Sequence, residues 1–113
     1  MGCLYYSLRI EVKKESNYLA LTNAFNTGAR MPDGSWGIEV KKTEEEYFDF
    51  VSYFMKLLDS KSENLEALGV SKDEITVWLL YEYKEQCNLE FSPMELEALA
   101  RKGVRFCISC WEG

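Results

Sequence analysis

The chain has 113 residues, 47% of them hydrophobic and 28% charged, with 19 acidic against 13 basic side chains and a net charge of −6. That length suits one hydrophobic core, and 14% aromatic residues with only 7 Gly and 2 Pro argue against disorder or low complexity. The average field of such a domain repels phosphate backbones, so direct nucleic-acid binding is not expected, and no stretch approaches the roughly 18 apolar residues that a bilayer span needs.

The opening "MGCLYYSLRIEV" has neither a basic leader nor a cleavable apolar segment, so the expected compartment is the cytoplasm. It alternates as a half-buried strand: Leu4, Tyr6, Leu8, Ile10 and Val12 share one face, and Tyr5, Ser7, Arg9 and Glu11 the other. Ser16 then stands as N-cap for a helix over 17–27, with Tyr18, Leu21 and Phe25 at helical spacing and Gly28 placed to end it. "ARMPDGSWG" packs Pro32, Asp33, Gly34 and Gly37 into a surface turn, and Trp36, Ile38 and Val40 follow on one face of a second strand.

The spacing of Thr43 and Glu46 predicts a capping box at the head of a long helix, "TEEEYFDFVSYFMKLLDS", with Tyr47, Val51, Phe54, Met55 and Leu58 on its apolar face. Glu44, Glu45 and Glu46 then sit in its first turn, where the helix dipole favours negative charge. A shorter helical turn in "SENLEALG" runs from Ser62 to Gly69. "EITVWLLYEYK" is apolar on both faces and predicts a central strand covered above and below, with Trp78 in the core. "FSPMELEALARKG" has an N-cap at Ser92, Pro93 at the first helical position, Glu95 completing a capping box and Gly103 at the end; "VRFCISCW" closes as a strand. The order β-α-β-α-β-α-β predicts a single two-layer α+β domain, with about four strands in a mostly antiparallel or mixed sheet and about three helices.

Chemistry is scarce. The closing Cys-x-x-Cys lies inside an alternating β segment, which sends Cys107 and Cys110 to opposite faces with Cα atoms roughly 10 Å apart, beyond disulfide reach. Only that pair among the four cysteines has ligand-like spacing and the chain has no His, so neither a metal centre nor any other cofactor is expected. Without His, Ser-His and Cys-His nucleophile systems are excluded, and the chain is not expected to be an enzyme. The densest acidic patch is Glu44, Glu45, Glu46 and Asp49, with Asp33 in the preceding loop.

Taken together, "YYSLRIEV", "NTG", "RMPDGSWGIEV", "YFDFVSYFMKLL", "ITVWLLYEY" and "LEFSPMELEALARKGVRFCISCW" resemble the uncharacterised bacterial family called domain of unknown function 4279 across nearly the whole chain. The matching positions are mainly glycines, caps and apolar residues, so the resemblance implies a fold. In character the chain is also similar to small acidic immunity proteins that neutralise bacterial toxins. That similarity implies a non-catalytic protein-binding domain, with Asp33, Glu44, Glu45 and Asp49 facing a cognate basic toxin and Trp36 as its anchor. The alternative is a small-molecule or metal-binding domain using a cleft between the Pro32 loop and the sheet, or the cysteines.

Overall fold

The computed structural model describes residues 2–113. It is an α+β domain: a five-stranded mixed sheet with four α-helices. The strands are β1 (Cys3–Ile10), β2 (Ala29–Arg30), β3 (Trp36–Thr43), β4 (Ile75–Tyr83) and β5 (Arg105–Glu112). The helices are α1 (Ser16–Phe25), α2 (Phe50–Ser60), α3 (Ser62–Ala67) and α4 (Pro93–Lys102).

The sheet order is β2-β3-β1-β4-β5, so the middle place belongs to β1. It pairs antiparallel with β3 and β4 along its whole length, while β4 and β5 run parallel. A parallel neighbour needs a crossover, which α4 supplies between β4 and β5.

Register sorts the side chains. Leu8 lies opposite Ile38 and Val77, and Val77 in turn opposite Phe106, so these point to one face. Every strand residue of the buried core belongs to that row, and Leu21, Phe25, Phe54, Leu58 and Leu99 of the helices pack on it. The alternate row, including Tyr5, Arg9, Trp78, Leu80 and Trp111, has no helix over it among the described residues. β4 is therefore interior but covered on one face only, contrary to the two-sided expectation. Trp78 is half-buried beneath the Arg9 guanidinium, 5.6 Å from its ring centroid, and Trp111 is 40% exposed, stacked near Tyr5.

The last helix forms as its sequence predicts. Ser92 Oγ accepts from the Glu95 backbone N–H at 3.1 Å, Glu95 Oε1 accepts from the Ser92 backbone N–H at 2.9 Å, and Gly103 ends the helix at φ 76°. Helix α2 does not start at Thr43. The Glu46 carboxylate accepts from the Thr43 N–H (3.1 Å), as in a capping box, and from the Thr43 hydroxyl (3.2 Å), but the Glu46 N–H donates to the Thr43 carbonyl (3.1 Å) and not to its hydroxyl, so these bonds close a turn at the end of β3. The helix begins at Phe50, capped by Asp49, whose carboxylate accepts from the Ser52 N–H at 3.2 Å. Aromatic packing sets that phase: Phe48 and Phe50 both reach Tyr6, with ring centroids at 5.1 and 5.0 Å, which leaves Tyr47 88% exposed instead of on the apolar face.

Trp36 is fully buried. Its indole N–H donates to Thr22 Oγ1 at 2.9 Å, its ring packs on Phe25 at 5.1 Å, and Gly28, at φ 100°, lies so close that an added Cβ would meet the ring at 2.3 Å. The anchoring role expected of Trp36 is therefore corrected: it joins α1 to the sheet and presents nothing to a partner. Trp36→Ala is expected to lose about 3–5 kcal/mol of unfolding free energy, measured by denaturant titration; a loss under about 1 kcal/mol would be incompatible with this packing.

Candidate functional site

Acidic residues on the sequence-predicted list separate in space. Asp33 belongs to the hairpin joining β2 and β3, at the end of the sheet where Gly37 pairs with Arg9. Glu44 and Glu45 follow Thr43, at the end where β3 pairs with Cys3. Six residue steps along β1, from Cys3 to Arg9, divide the two ends, about 20 Å at strand rise, so Asp33 and Glu44 do not form one patch.

Asp33 is tied to Arg9, Nη1 to Oδ2 at 2.9 Å, on the face without helices. It also accepts from the Ser35 N–H at 2.9 Å and hydroxyl at 2.6 Å. Partial burial raises its carboxyl pKa, but these hydrogen bonds and the Arg9 charge outweigh that and leave it below the usual carboxylate value. Beside it, between the hairpin and the sheet, lies a cleft of about 340 Å³ that includes Arg9, Asp33, Thr76, Trp78 and Arg105.

Glu44 and Glu45 belong to a different feature, a groove of about 330 Å³ on the helical side. Its floor is Leu4, Tyr6 and Leu79 from the sheet, with Phe48 and Phe50 ahead of and in α2 and Phe91 ahead of α4. Its rim carries Glu44, Glu45, Glu46, Glu90 and Glu95. Gly2 helps set this rim: its carbonyl accepts from the Glu44 N–H at 3.1 Å, and a Cβ on it would lie 2.5 Å from the Glu82 carbonyl. Glu44 Oε1 also accepts from the Tyr81 hydroxyl at 3.1 Å; burial first, then that carboxylate, raises the Tyr81 pKa. Glu95 is shared with a second, more apolar groove of about 320 Å³ between α2 and α4, where Asp49 stands. The fold thus gathers Glu44, Glu45 and Asp49 on one flank and adds Glu90 and Glu95, which sequence reasoning did not single out. Glu95 was visible only as a helix cap.

One cation already sits at this rim. The Lys42 ammonium lies 3.8 Å from a Glu46 carboxylate oxygen and 5.5 Å from the Phe48 ring centroid. An acidic groove with an aromatic floor suits a cationic group that keeps an apolar stem, since aromatic faces and carboxylates both attract positive charge.

The cysteines are all free. In β5, Cys107 lies opposite Trp78 on one face and Cys110 opposite Tyr81 on the other, as extended geometry requires. Cys110 instead meets Cys87: a hydrogen bond with that thiol, then burial, raises its pKa. No group of three or more His, Cys, Asp or Glu suited to hold a metal occurs among the described residues. None of their helices is long and apolar enough to cross a membrane.

No family model matches this chain, and no curated protein or solved structure matches it either.

The thiol geometry is directly testable. Mild diamide oxidation followed by peptide mass mapping is expected to yield an intramolecular Cys87–Cys110 disulfide and no Cys107–Cys110 disulfide. Recovery of the latter would contradict the extended geometry of β5.

Proposed function

We propose that this chain is a non-catalytic protein-binding domain, an immunity protein of bacterial type that neutralises a cognate basic toxin by surface complementarity. The single observation that carries the reading is the convergence of Glu44, Glu45, Glu46, Glu90 and Glu95 around one aromatic-floored groove, with Asp49 on the adjoining groove. Lys42 offsets only one of those charges. The net charge of −6 works in the same direction, because an acidic surface speeds encounter with a basic partner and does so less as salt rises. Asp33, paired with Arg9 at the far end of the sheet, is outside this interface.

A second reading has its own observation. The cleft between the Pro32 hairpin and the sheet combines Arg9 and Arg105 with Asp33 and the Trp78 ring, a setting for a small polar molecule. A thermal shift with a ligand library that is abolished by Arg105→Ala would favour it.

The test of the first reading is co-expression with the basic product of the gene beside its own, followed by binding measurements on the purified pair. Protection of the host is expected, together with a complex whose affinity falls about tenfold or more in the variant carrying Glu44→Gln, Glu45→Gln and Glu90→Gln, because losing rim charge slows association and removes attraction in the complex. No protection and no complex, or a complex indifferent to both salt and these substitutions, sinks the reading.

A further inference from the structure

Tyr6 lies on the middle strand with only 7% of its surface exposed, its ring held by Phe48 edge-on at 5.1 Å and by Phe50 at 5.0 Å. A phenol buried to this degree ordinarily finds a hydrogen-bond partner. The Tyr6 hydroxyl has none among the described residues. Nor is it sealed in, because no fully enclosed side-chain N or O atom among the described residues lacks a partner. The hydroxyl therefore opens into the groove that Tyr6 lines.

Burial, and then the facing Glu95 carboxylate, raise the Tyr6 pKa, so the phenol stays neutral and keeps its oxygen as an acceptor. One Glu95 oxygen is occupied by the Ser92 N–H. Across the groove, Glu45 and Glu90 carry exposed carboxylates that make no ion pair among the described residues. The groove around the hydroxyl thus combines a neutral acceptor, several carboxylates and the aromatic walls of Phe48, Phe50 and Phe91. What satisfies all of these together is a group with several N–H donors, a positive charge and an apolar stem. An uncharged alcohol leaves the carboxylates without a counter-charge, and an anion is repelled.

We infer that the groove receives one lysine or arginine side chain of a basic protein partner, its alkyl stem along the aromatic walls and its cation donating to the Tyr6 hydroxyl oxygen among the rim glutamates. Lys42 shows the same chemistry within the chain, with its ammonium near both Glu46 and the Phe48 ring. The inference rests on the partner reading above and specifies which pocket of this surface the partner enters.

The test separates the two. NMR titration of the full chain, with tyrosine rings labelled, uses N-acetyl-lysine methylamide and N-acetyl-arginine methylamide, with N-acetyl-norleucine methylamide as the uncharged control. Saturable shifts centred on Tyr6 and residues 89–95 are expected with the cationic probes only, weakened several-fold by Tyr6→Phe, which keeps the ring, and by Glu90→Gln at an exposed position. Shifts scattered over the acidic surface, or equal shifts with norleucine, overturn the inference whatever the partner does. A toxin complex that forms but has the same affinity for wild type and Tyr6→Phe overturns it too, while leaving the binding reading intact. Spermidine, as a free cation, is expected to compete with the lysine probe less well than a lysine-containing peptide of the partner does; tighter spermidine binding at Tyr6 would overturn the assignment to a protein side chain.

Discussion

Strand β1 is hydrogen-bonded to β3 on one side and β4 on the other over all eight of its residues, Cys3–Ile10. That double pairing commits its two rows of side chains to opposite faces. A slip of one residue would exchange Leu4, Tyr6, Leu8 and Ile10 with Cys3, Tyr5, Ser7 and Arg9, placing an arginine under the helices. The floor of the acidic groove, the single layer of helices and the open aromatic face all follow from this one register. Ser7, buried on the side without helices, is bonded by Arg9 Nε at 3.1 Å, so even the polar row is held in place.

Helix packing then makes the groove. Phe50 at the start of α2 contacts Tyr6, Phe91 and Phe106, bringing together the middle strand, the segment ahead of α4 and the edge strand. The aromatic cluster lets the chain turn at residues 44–49 and again at 89–92, and each turn brings glutamates to the rim. Repulsion among these carboxylates is a cost to folding that the apolar contacts beneath them must exceed. A counter-charge brought to the rim would relieve it.

Much of the fold is legible in the sequence because local signals and tertiary outcome agree. The alternation of β1, the Ser92–Glu95 box and the closing Gly103 read directly, and the divergence of Cys107 and Cys110 follows from strand geometry. The start of α2 is not legible, since Thr43 and Glu46 have capping-box spacing and share one of its hydrogen bonds, Thr43 N–H to the Glu46 carboxylate, while closing a turn, and only Phe48 and Phe50 packing on Tyr6 decides the phase. Trp36 beside a turn looks exposed until Thr22, fourteen residues earlier, accepts its N–H. The two-residue strand β2 leaves no periodic signal. Of the candidate site, Glu44 and Glu45 stand out as a charge run, whereas Glu90, Glu95 and Tyr6 join them only through the sheet order and the aromatic cluster. Tyr6 in particular reads as one more member of an alternating apolar row.

The central claim, that recognition occurs on the acidic, helix-bearing flank, is tested most directly by the footprint of the bound partner in hydrogen–deuterium exchange. Slowed exchange is predicted at residues 44–50 and 88–96, with residues 31–35 and the strand Arg105–Glu112 unchanged. Protection centred on Arg105–Glu112 and the Pro32 hairpin, with residues 44–50 and 88–96 unaffected, would contradict the account.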